Sequence, residues 1–294
     1  MVVGSANIDQ VFRVVTIPVP GETVMSTGVS SARGGKGQNQ AVAAARAGAS
    51  TTFIAAVGGD EFGRRTLVGL TEDGVDVSLV RTVEAPTGTA LITVDTGGEN
   101  TIIVDAGANA ELTGLSGGDE AAIRAAAVLV MQLEIPLHTV AAAARIAQDG
   151  GTTVILNAAP IKDLPVNLLA DVDILVINEH EAAYLAGAEQ VSALARTVIV
   201  TLGSAGAVLY ERSSAEIRVP APRVKAVDAT GAGDTFCGAL AASLAAGSDV
   251  QCSLRFAVAA ASVSVQHEGA VPSIPHRADI IGALLTGNEQ PQGA

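Results

Sequence analysis

The stretch DATGAGD, residues 228–234, decides the fold because of the two segments that flank it. Arg223–Val227 before it has the β-branched character of a strand, and Thr235–Ala246 after it has the apolar character of a buried helix. The glycines between them suit a tight connection. We therefore predict a strand, a loop and a helix in succession, the repeating unit of an α/β protein.

The same alternation runs through most of the chain. Short β-branched runs predict the parallel strands of a central sheet, and Ala-rich stretches predict helices that cross over between them. The predicted strands are Thr51–Val57, Val128–Gln132, Thr152–Leu156, Asp173–Ile177 and Thr197–Thr201. The predicted helices are Lys36–Ala47, Glu61–Thr71, Leu137–Gln148, Gly233–Ala246 and Val250–Val265.

Two regions, 10–32 and 87–105, break this rhythm. In the second, two β-branched runs flank a TGGE turn as the strands of a hairpin do. We predict that both regions form a small sheet that acts as a lid over the strand carboxyl ends, where open α/β sheets bind ligands. A β excursion that covers a sheet edge is the alternative. The α/β domain then comprises 1–9, 33–86 and 106–286, and 287–294 is predicted to be a disordered tail.

The composition excludes some partners. The 294 residues are 49% hydrophobic, enough for a large core, and carry a formal net charge of -13. Such a charge repels nucleic acid and anionic membranes, so we predict small-molecule partners, no nucleic acid and no membrane. An anionic ligand would have to be bound by local devices such as helix N-termini.

The two cysteines and the chain start favour a cytoplasmic location. Cys237 and Cys252 lie within apolar helical patterns, which predicts small buried side chains and no disulfide framework. The chain opens on the strand-like Met1–Val3 without a basic region, and its longest apolar stretch is interrupted by polar residues. We expect neither a signal peptide nor a membrane span.

DATGAGD also predicts chemistry. Gly231 and Gly233 let the backbone approach a ligand, and together with Ala232 they offer free N–H groups at a helix start, which suits an anion. Asp234 lies in the first turn, where the helix dipole would keep it ionised and able to accept a hydroxyl proton. A tight turn followed by a favourable first-turn acid is the structural alternative.

A second glycine-rich stretch, GGKGQNQA at residues 34–41, opens the first long helix. Its glycines, Gly35 among them, permit a sharp entry, and Lys36 and Asn39 share one helical face. The stretch is not a Walker A loop, because Gly37 follows Lys36 where Ser or Thr is needed, and it lacks the third glycine of a dinucleotide fingerprint. Two hydrogen-bonding groups thus converge at a helix start.

Further polar residues follow predicted strands. Asn7 and Asp9 come after the first strand and point the same way, which suits two sugar hydroxyls or an Asx turn. Glu134 follows a buried strand, so its carboxylate needs donors. Asn178 and Glu181 share one helical face and could hold the waters of a hard cation, cap the helix, or do both.

Both glycine-rich stretches resemble the signatures of the ribokinase, or phosphofructokinase-B type, sugar kinases, and the resemblance covers nearly the whole chain. It implies a three-layer α/β fold with a mostly parallel sheet and a β-sheet lid. It also implies transfer of the γ-phosphate of ATP to the 5-hydroxyl of D-ribose, with Asp234 as the base. The residues implied for the sugar are Asn7, Asp9, Gly35, Lys36, Asn39, Glu134 and Asp234.

The resemblance extends to the nucleotide and to ions. It implies Mg²⁺ with ATP near Asn178 and Glu181, and a nucleotide-side turn with Thr201, Gly203 and Gly206 that would otherwise be a generic hairpin turn. A monovalent cation, K⁺, is implied beside the anion-binding loop, at Asp228, Thr230, Ser264, His267, Gly269 and Ser273. We also expect a homodimer, because a second subunit could cover the open edges of the lid sheet.

Two departures from the family pattern affect the nucleotide side. The connection between Leu185 and Val198 is short, which shortens one crossover helix, and Val258 replaces an Asn near the adenine. Alternative functions are a same-family kinase for deoxyribose, fructose or adenosine, and a non-catalytic sugar-binding regulator. A Rossmann oxidoreductase is disfavoured by the missing fingerprint.

Overall fold

The computed structural model describes residues 1–186, 190–212 and 215–287, and it confirms the α/β fold. The strands are β1 (Val2–Val3), β2 (Asn7–Arg13), β3 (Gly28–Gly34), β4 (Thr51–Gly58), β5 (Val75–Asp76), β6 (Val80–Val83), β7 (Gly88–Val94), β8 (Asn100–Asp105), β9 (Val128–Met131), β10 (Thr153–Asn157), β11 (Ile174–Asn178), β12 (Thr197–Thr201), β13 (Ala207–Glu211) and β14 (Ile217–Val219). The helices are α1 (Lys36–Arg46), α2 (Glu61–Glu72), α3 (Gly117–Ala125), α4 (Leu137–Gly150), α5 (Val166–Ala170), α6 (Glu179–Ala186), α7 (Ala232–Ala245), α8 (Val250–Ser264), α9 (Ala270–Ser273) and α10 (Arg277–Gly287).

The central sheet has the order β14-β13-β12-β11-β10-β9-β1-β4-β5, with β6 also paired to β4. Neighbouring strands are parallel except at one edge, where β13 is antiparallel to β12 and β14 is antiparallel to β13. The five predicted strands Thr51–Val57, Val128–Gln132, Thr152–Leu156, Asp173–Ile177 and Thr197–Thr201 are present, with ends that agree to within one residue. The β-branched runs therefore located the sheet correctly.

Both faces of the sheet are covered by helices. Val2 and Phe53 point into a core formed with α1, α7 and α8, whereas their neighbours Val3 and Ile54 point into a second core formed with α3, α4, α5 and α6. A strand that is buried on both faces has no polar side, which explains the unbroken apolar runs in the sequence.

A separate sheet has the order β3-β2-β7-β8, and its β7 and β8 form the predicted hairpin. We call it the lid sheet. β2 begins at Asn7, close after the carboxyl end of β1, so the lid sheet starts at the edge of the central sheet where ligands bind. Asn7 and Asp9 follow the first strand as predicted, but they lie on β2 of the lid sheet, whereas the sequence predicted that the lid begins at residue 10.

Partly buried ion pairs connect the lid sheet to the main body. Asp73, just after α2, accepts from Arg33 on β3 and from Arg46 on α1, each at 2.6 Å. Arg46 also donates to the carbonyl oxygens of Val271 and Ile274, at 2.9 Å and 2.8 Å. Asp73 therefore joins β3 to α1, and Arg46 joins α1 to the segment around α9.

Two local predictions are wrong. Arg223–Val227 lies in an irregular segment, because Val224 and Val227 are 38% and 55% exposed and no apolar face covers the segment as a strand. Cys252 is exposed near the start of α8, whereas Cys237 is buried as predicted.

Two expectations concern the chain ends and the membrane. The predicted tail, 287–294, lies outside the described residues except for Gly287, which ends α10. Within the described ranges, no helix has both the length and the apolar character that a membrane span requires.

Candidate active site

Asp234 lies in the first turn of α7 and is only 7% exposed. Its two carboxylate oxygens accept hydrogen bonds from two side chains of α1. Asn39 Nδ2 donates to Oδ2 and Gln40 Nε2 donates to Oδ1, each at 2.9 Å. The two glycine-rich stretches, far apart in the chain, therefore meet in one site.

Opposing effects set the pKa of Asp234. Burial raises the pKa of this carboxyl, although the Lys36 charge and the hydrogen bonds from Asn39 and Gln40 oppose the rise. Removal from water is the largest of these effects. A raised pKa brings a carboxylate closer to the working range of a general base.

The loop before α7 leaves space in front of the helix. Gly231 has a left-handed backbone (φ +74°), and a Cβ there would lie 3.0 Å from Ala270 Cα. A Cβ on Gly233 would meet no atom of the described residues within 4 Å. The N–H of Ala232 points to Ala229 O at 3.2 Å, a long bond. A ligand can therefore approach the start of α7 closely.

The glycines at the start of α1 are required by close backbone contacts. Gly35 has φ +90°, and a Cβ there would lie 2.7 Å from Asn7 N. A Cβ on Gly37 would lie 2.5 Å from Ser5 N. Side chains at either position would push α1 away from the segment that joins β1 to β2.

Glu134 finds its donors within the protein. Its Oε2 accepts from Ser5 Oγ at 2.5 Å and from the backbone N–H of Lys36 at 2.9 Å, so it caps the start of α1. Burial lowers the pKa of Lys36, but the charges of Asp234, Glu134 and Glu181 outweigh this effect and raise it. Lys36 therefore remains a cation among acids.

Asn7 and Asn39 present fixed polar groups. Asn7 Oδ1 accepts from Asn109 Nδ2 at 2.7 Å, and Asn109 Oδ1 accepts from the N–H of Ala6 at 2.8 Å. Asn39 Oδ1 is buried without a hydrogen-bond donor among the described residues. An unpaired buried acceptor is costly, so this oxygen is suited to a hydroxyl donor from a ligand.

Asp9, on β2, is an unusual carboxyl. Its pKa is raised from 3.8 to about 6, mainly by burial and then by the charges of Glu134 and Asp234. A Cβ on Gly34 would collide with the Asp9 carboxylate, so the glycine makes room for it. Asp9, Glu134 and Asp234 therefore form one acidic cluster, and Lys36 interacts with the last two of these acids.

The candidate nucleotide-side residues lie at adjacent strand ends. Asn178 ends β11 and pairs in register with Thr201, which ends β12. The backbone N–H of Asn178 donates to Glu181 Oε2, and that of Glu181 donates to Asn178 Oδ1, both at 2.8 Å. This reciprocal pair caps α6, which was one of the two predicted roles. Gly203 and Gly206 follow Thr201, with φ +55° and +98°.

Asp228 ties together two of the loops predicted to hold a cation. Its carboxylate accepts from the backbone N–H groups of Thr230 and Gly269, both at 2.8 Å. Burial raises the pKa of Asp228, but these hydrogen bonds outweigh it and hold the pKa below its ordinary value. The hydroxyls of Ser264 and Ser273 donate to Ala261 O and Ala270 O, which leaves their lone pairs as acceptors or ligands.

Comparison with known proteins identifies the family. The pfkB family carbohydrate kinase model matches residues 1–277. The chain belongs to this family. The ribokinase of Schizosaccharomyces pombe is 40% identical over 308 residues, covering 97% of this chain and 97% of the relative. The deoxyribokinase of Salmonella typhi is 34% identical over 291 residues, covering 93% and 94%.

A solved structure supports the same assignment. The structure of Arabidopsis thaliana ribokinase complexed with ribose and ATP matches with a TM-score of 0.91 and 35% identity, over 96% of this chain and 97% of that one. The resemblance to the sugar kinases that the sequence indicated is confirmed. As a pfkB family carbohydrate kinase, the chain is expected to place its chemistry where the two signatures meet.

Several residues of this kinase site were missed from the sequence. Gln40 contacts Asp234 directly, and Ser5 and Asn109 fix Glu134 and Asn7. Gln132 and Asn157 contact Gln40. Gln132 and Asn157 are polar residues at the ends of otherwise apolar strands, and that pattern was the available signal.

The raised pKa of Asp9 leads to a stability prediction. As pH rises, the Asp9 carboxyl keeps its proton in the native state up to about pH 6, whereas in the unfolded chain, with an ordinary pKa of 3.8, it loses the proton at lower pH. The free energy of unfolding should therefore fall as pH rises from about 4 to about 6. Asp9→Asn, which stays neutral, should be more stable than the wild type by about 1–3 kcal/mol at pH about 8 and by roughly a third of that amount at about 4.5.

Urea unfolding without ligand at both pH values checks this. Glu99→Gln, a change at an exposed lid residue, is the control and should behave like the wild type. An Asp9→Asn effect of the same size at both pH values would contradict the prediction.

Proposed function

We propose that this carbohydrate kinase transfers the γ-phosphate of ATP to the 5-hydroxyl of D-ribose, giving D-ribose 5-phosphate and ADP. The observation that carries the proposal is the buried Asp234 carboxylate, held by Asn39 and Gln40 in front of an open helix start. Relatives that are named ribokinase and match nearly the whole chain support ribose as the acceptor.

In this proposal the sugar lies between α1 and β2. Asn7, Asp9, Lys36, Asn39 and the free oxygen of Glu134 hold its hydroxyls, with the Gly35 backbone alongside. Asn39 Oδ1, which has no donor among the described residues, would gain one from the sugar. A neutral sugar suits a site with three acids and one lysine, because a phosphosugar would add like charge.

Asp234 accepts the proton of the 5-hydroxyl as the oxygen bonds to phosphorus and the bond to the ADP oxygen breaks. The backbone N–H groups of Gly231, Ala232 and Gly233 stabilise the negative charge on the transferred phosphoryl group. Stabilisation of this charge, together with positioning, supplies most of the catalysis of phosphoryl transfer. The Ala232 N–H would turn from Ala229 O toward the phosphate. The lid sheet covers the sugar and keeps water from taking the phosphoryl group.

Mg²⁺ is proposed as the ion bound with ATP. Asn178 and Glu181 use one oxygen each for the other's backbone and keep further lone pairs for metal-bound water. Thr201, Gly203 and Gly206 would lie along the nucleotide. When bound, the ion neutralises phosphate charge.

K⁺ is proposed beside the anion-binding loop. Asp228, with a lowered pKa, supplies charge, and Thr230, Ser264, His267, Gly269 and Ser273 supply oxygens. The contact of Gly231 with Ala270 packs this region against the phosphoryl-binding loop. A cation that orders the K⁺-binding region would therefore also order the phosphoryl-binding loop.

The substrate is tested by ADP release with ribose, deoxyribose, fructose and adenosine, each with ATP, Mg²⁺ and K⁺. We expect the highest kcat/KM for ribose. Deoxyribose is the nearest rival because of the deoxyribokinase relative. A higher kcat/KM for another acceptor would replace ribose, and sugar binding without ADP release would indicate a regulator.

Asp234→Asn should lower kcat about 10²–10⁴-fold with little change in sugar affinity, because proton acceptance is needed only in the transition state. Steady-state kinetics and calorimetry check this. Asp149→Asn, at an exposed position in α4, is the control. A near wild-type kcat in Asp234→Asn would remove Asp234 as the base.

Exchange of K⁺ for tetramethylammonium should lower kcat several-fold, because the larger ion cannot be held by a small set of oxygens. Asp228→Asn should lower activity in K⁺ and abolish most of the difference between the two cations. Equal rates of the wild type in both salts would contradict the cation site.

We also propose a homodimer through the lid sheet. Ile102, Ile103 and Val104 on its edge strand β8 are 55%, 68% and 54% exposed, an apolar surface that a second copy could cover. Ile103→Lys should shift sedimentation toward the monomer, whereas Val166→Lys, at an exposed site in α5, should not. A monomeric wild type would contradict this.

The cytoplasm, where both free thiols stay reduced, remains the proposed location.

A further inference from the structure

Gln40 is completely buried next to the proposed base. Its Nε2 donates to Asp234 Oδ1 at 2.9 Å and to Asn157 Oδ1 at 3.1 Å. Both hydrogens of this amide nitrogen are therefore used, one of them on the carboxylate. Asn157 is oriented in turn, because its Nδ2 donates to Val176 O at 3.3 Å.

Gln132 fixes which way the Gln40 amide faces. Its Nε2 donates to Gln40 Oε1 at 2.6 Å, and Gln132 is itself completely buried. If the Gln40 amide were turned over, its oxygen would face the two acceptors Asp234 Oδ1 and Asn157 Oδ1, and its nitrogen would face the Gln132 donor. Only one orientation of the Gln40 amide pairs both its nitrogen and its oxygen.

The backbone makes room for this arrangement. A Cβ on Gly4 would overlap the Gln132 side-chain oxygen, so the glycine after β1 is what allows Gln132 to lie there. Gln40, Gln132 and Asn157, which we call the amide relay, therefore come from α1, from the end of β9 and from the end of β10. Side chains from three elements are thus linked by hydrogen bonds, and one of them, Gln40, contacts the carboxylate oxygen of Asp234.

We propose that the amide relay is a positioning device for the phosphoryl-transfer reaction: Gln132 orients Gln40, and Gln40 holds Oδ1 of Asp234 so that the carboxylate accepts the sugar proton. This rests on the proposed function, in which Asp234 is the base. Gln40 is a positioning residue, since it acts through Asp234. Asn39, which bonds the other oxygen, can contact the sugar as well, so the relay and Asn39 have different roles.

The relay should also set the protonation of Asp234. A carboxylate that accepts an N–H bond is favoured in its charged form, so loss of the Gln40 donor should raise the pKa of Asp234 further. The other groups that face Asp234 are Lys36 on α1, Glu134 after β9, Asp9 on β2 and Cys237 on α7. Substitution of Gln40 or Gln132 by an uncharged residue leaves all of these charges in place.

The test uses the full chain with ribose, ATP, Mg²⁺ and K⁺. Gln40→Met keeps the size of the side chain and removes the donor. We expect kcat at neutral pH to fall about 10–100-fold and the acid limb of the kcat/KM–pH profile to move up by about one pH unit. Gln132→Met leaves the donor but frees its orientation, so both effects should have the same sign and be smaller.

Gln38→Met is the matched control. Gln38 is on the same helix and equally buried, but its amide donates to the backbone oxygens of Asn7 and Gly34 and not to Asp234. It removes a buried amide of the same kind, so its effect on the thermal midpoint should be comparable, while the acid limb should stay in place.

Three results would overturn the proposal: an unmoved acid limb in Gln40→Met, an equal movement in Gln38→Met, or a wild-type rate in Gln40→Met. Should Gln40→Met fail to fold, Gln132→Met decides the matter by whether its acid limb moves. Failure of the proposed function would be recognised separately, because Asp234→Asn would then keep its rate whatever the relay variants do.

Discussion

The burial of the Asp234 carboxylate is the constraint on which the site depends. A carboxylate removed from water must have hydrogen-bond donors, and here the donors are Asn39 and Gln40 on α1. Helices α1 and α7 must therefore pack side by side against the same face of the sheet. Gly238 allows this approach, because a Cβ there would lie 2.5 Å from Ala43 Cβ and from Gln40 O.

Hydrogen bonds between polar groups that are removed from water also attach the lid sheet to the body. Asn109 hydrogen-bonds to Ala6 and Asn7, and the Gly35 backbone lies close to Asn7, so the start of β2 is held next to the carboxyl end of β1. Asp73 joins β3 to α1, and Arg46 joins α1 to the segment around α9. The outer strand β8 is exposed along its length, including its apolar side chains. One end of the lid is thus fixed by polar contacts, and the other offers an apolar surface.

The charged side chains near the site are one cation and several acids, in a chain whose overall charge is negative. Asp9, Glu134 and Asp234 form an acidic cluster, and Lys36 interacts with the last two, in a protein with a net charge of -13. Burial and then the repulsion among the acids raise the pKa of Asp9, which makes the protein without ligand less stable at neutral pH than a neutral variant would be. In the proposed function, a neutral sugar would donate hydrogen bonds to this cluster without adding charge, and the phosphates would depend on the N-terminus of α7 and on ions.

Local patterns in the sequence determined the strands, the helices, the hairpin of the lid and the two signature stretches, because each depends on neighbouring residues and on burial of one or both faces. They could not show that Arg223–Val227 is irregular, since no covering face can be inferred from five residues. The partners of Asp234 and the sign of its pKa shift were decided only by tertiary structure. Gln40, Gln132 and Asn157 lie on three different elements, and their meeting point depends on the order of β9, β1 and β10 in the sheet. Asp234 is removed from water only when these elements pack together, so its pKa shift cannot be inferred from any single segment of the sequence.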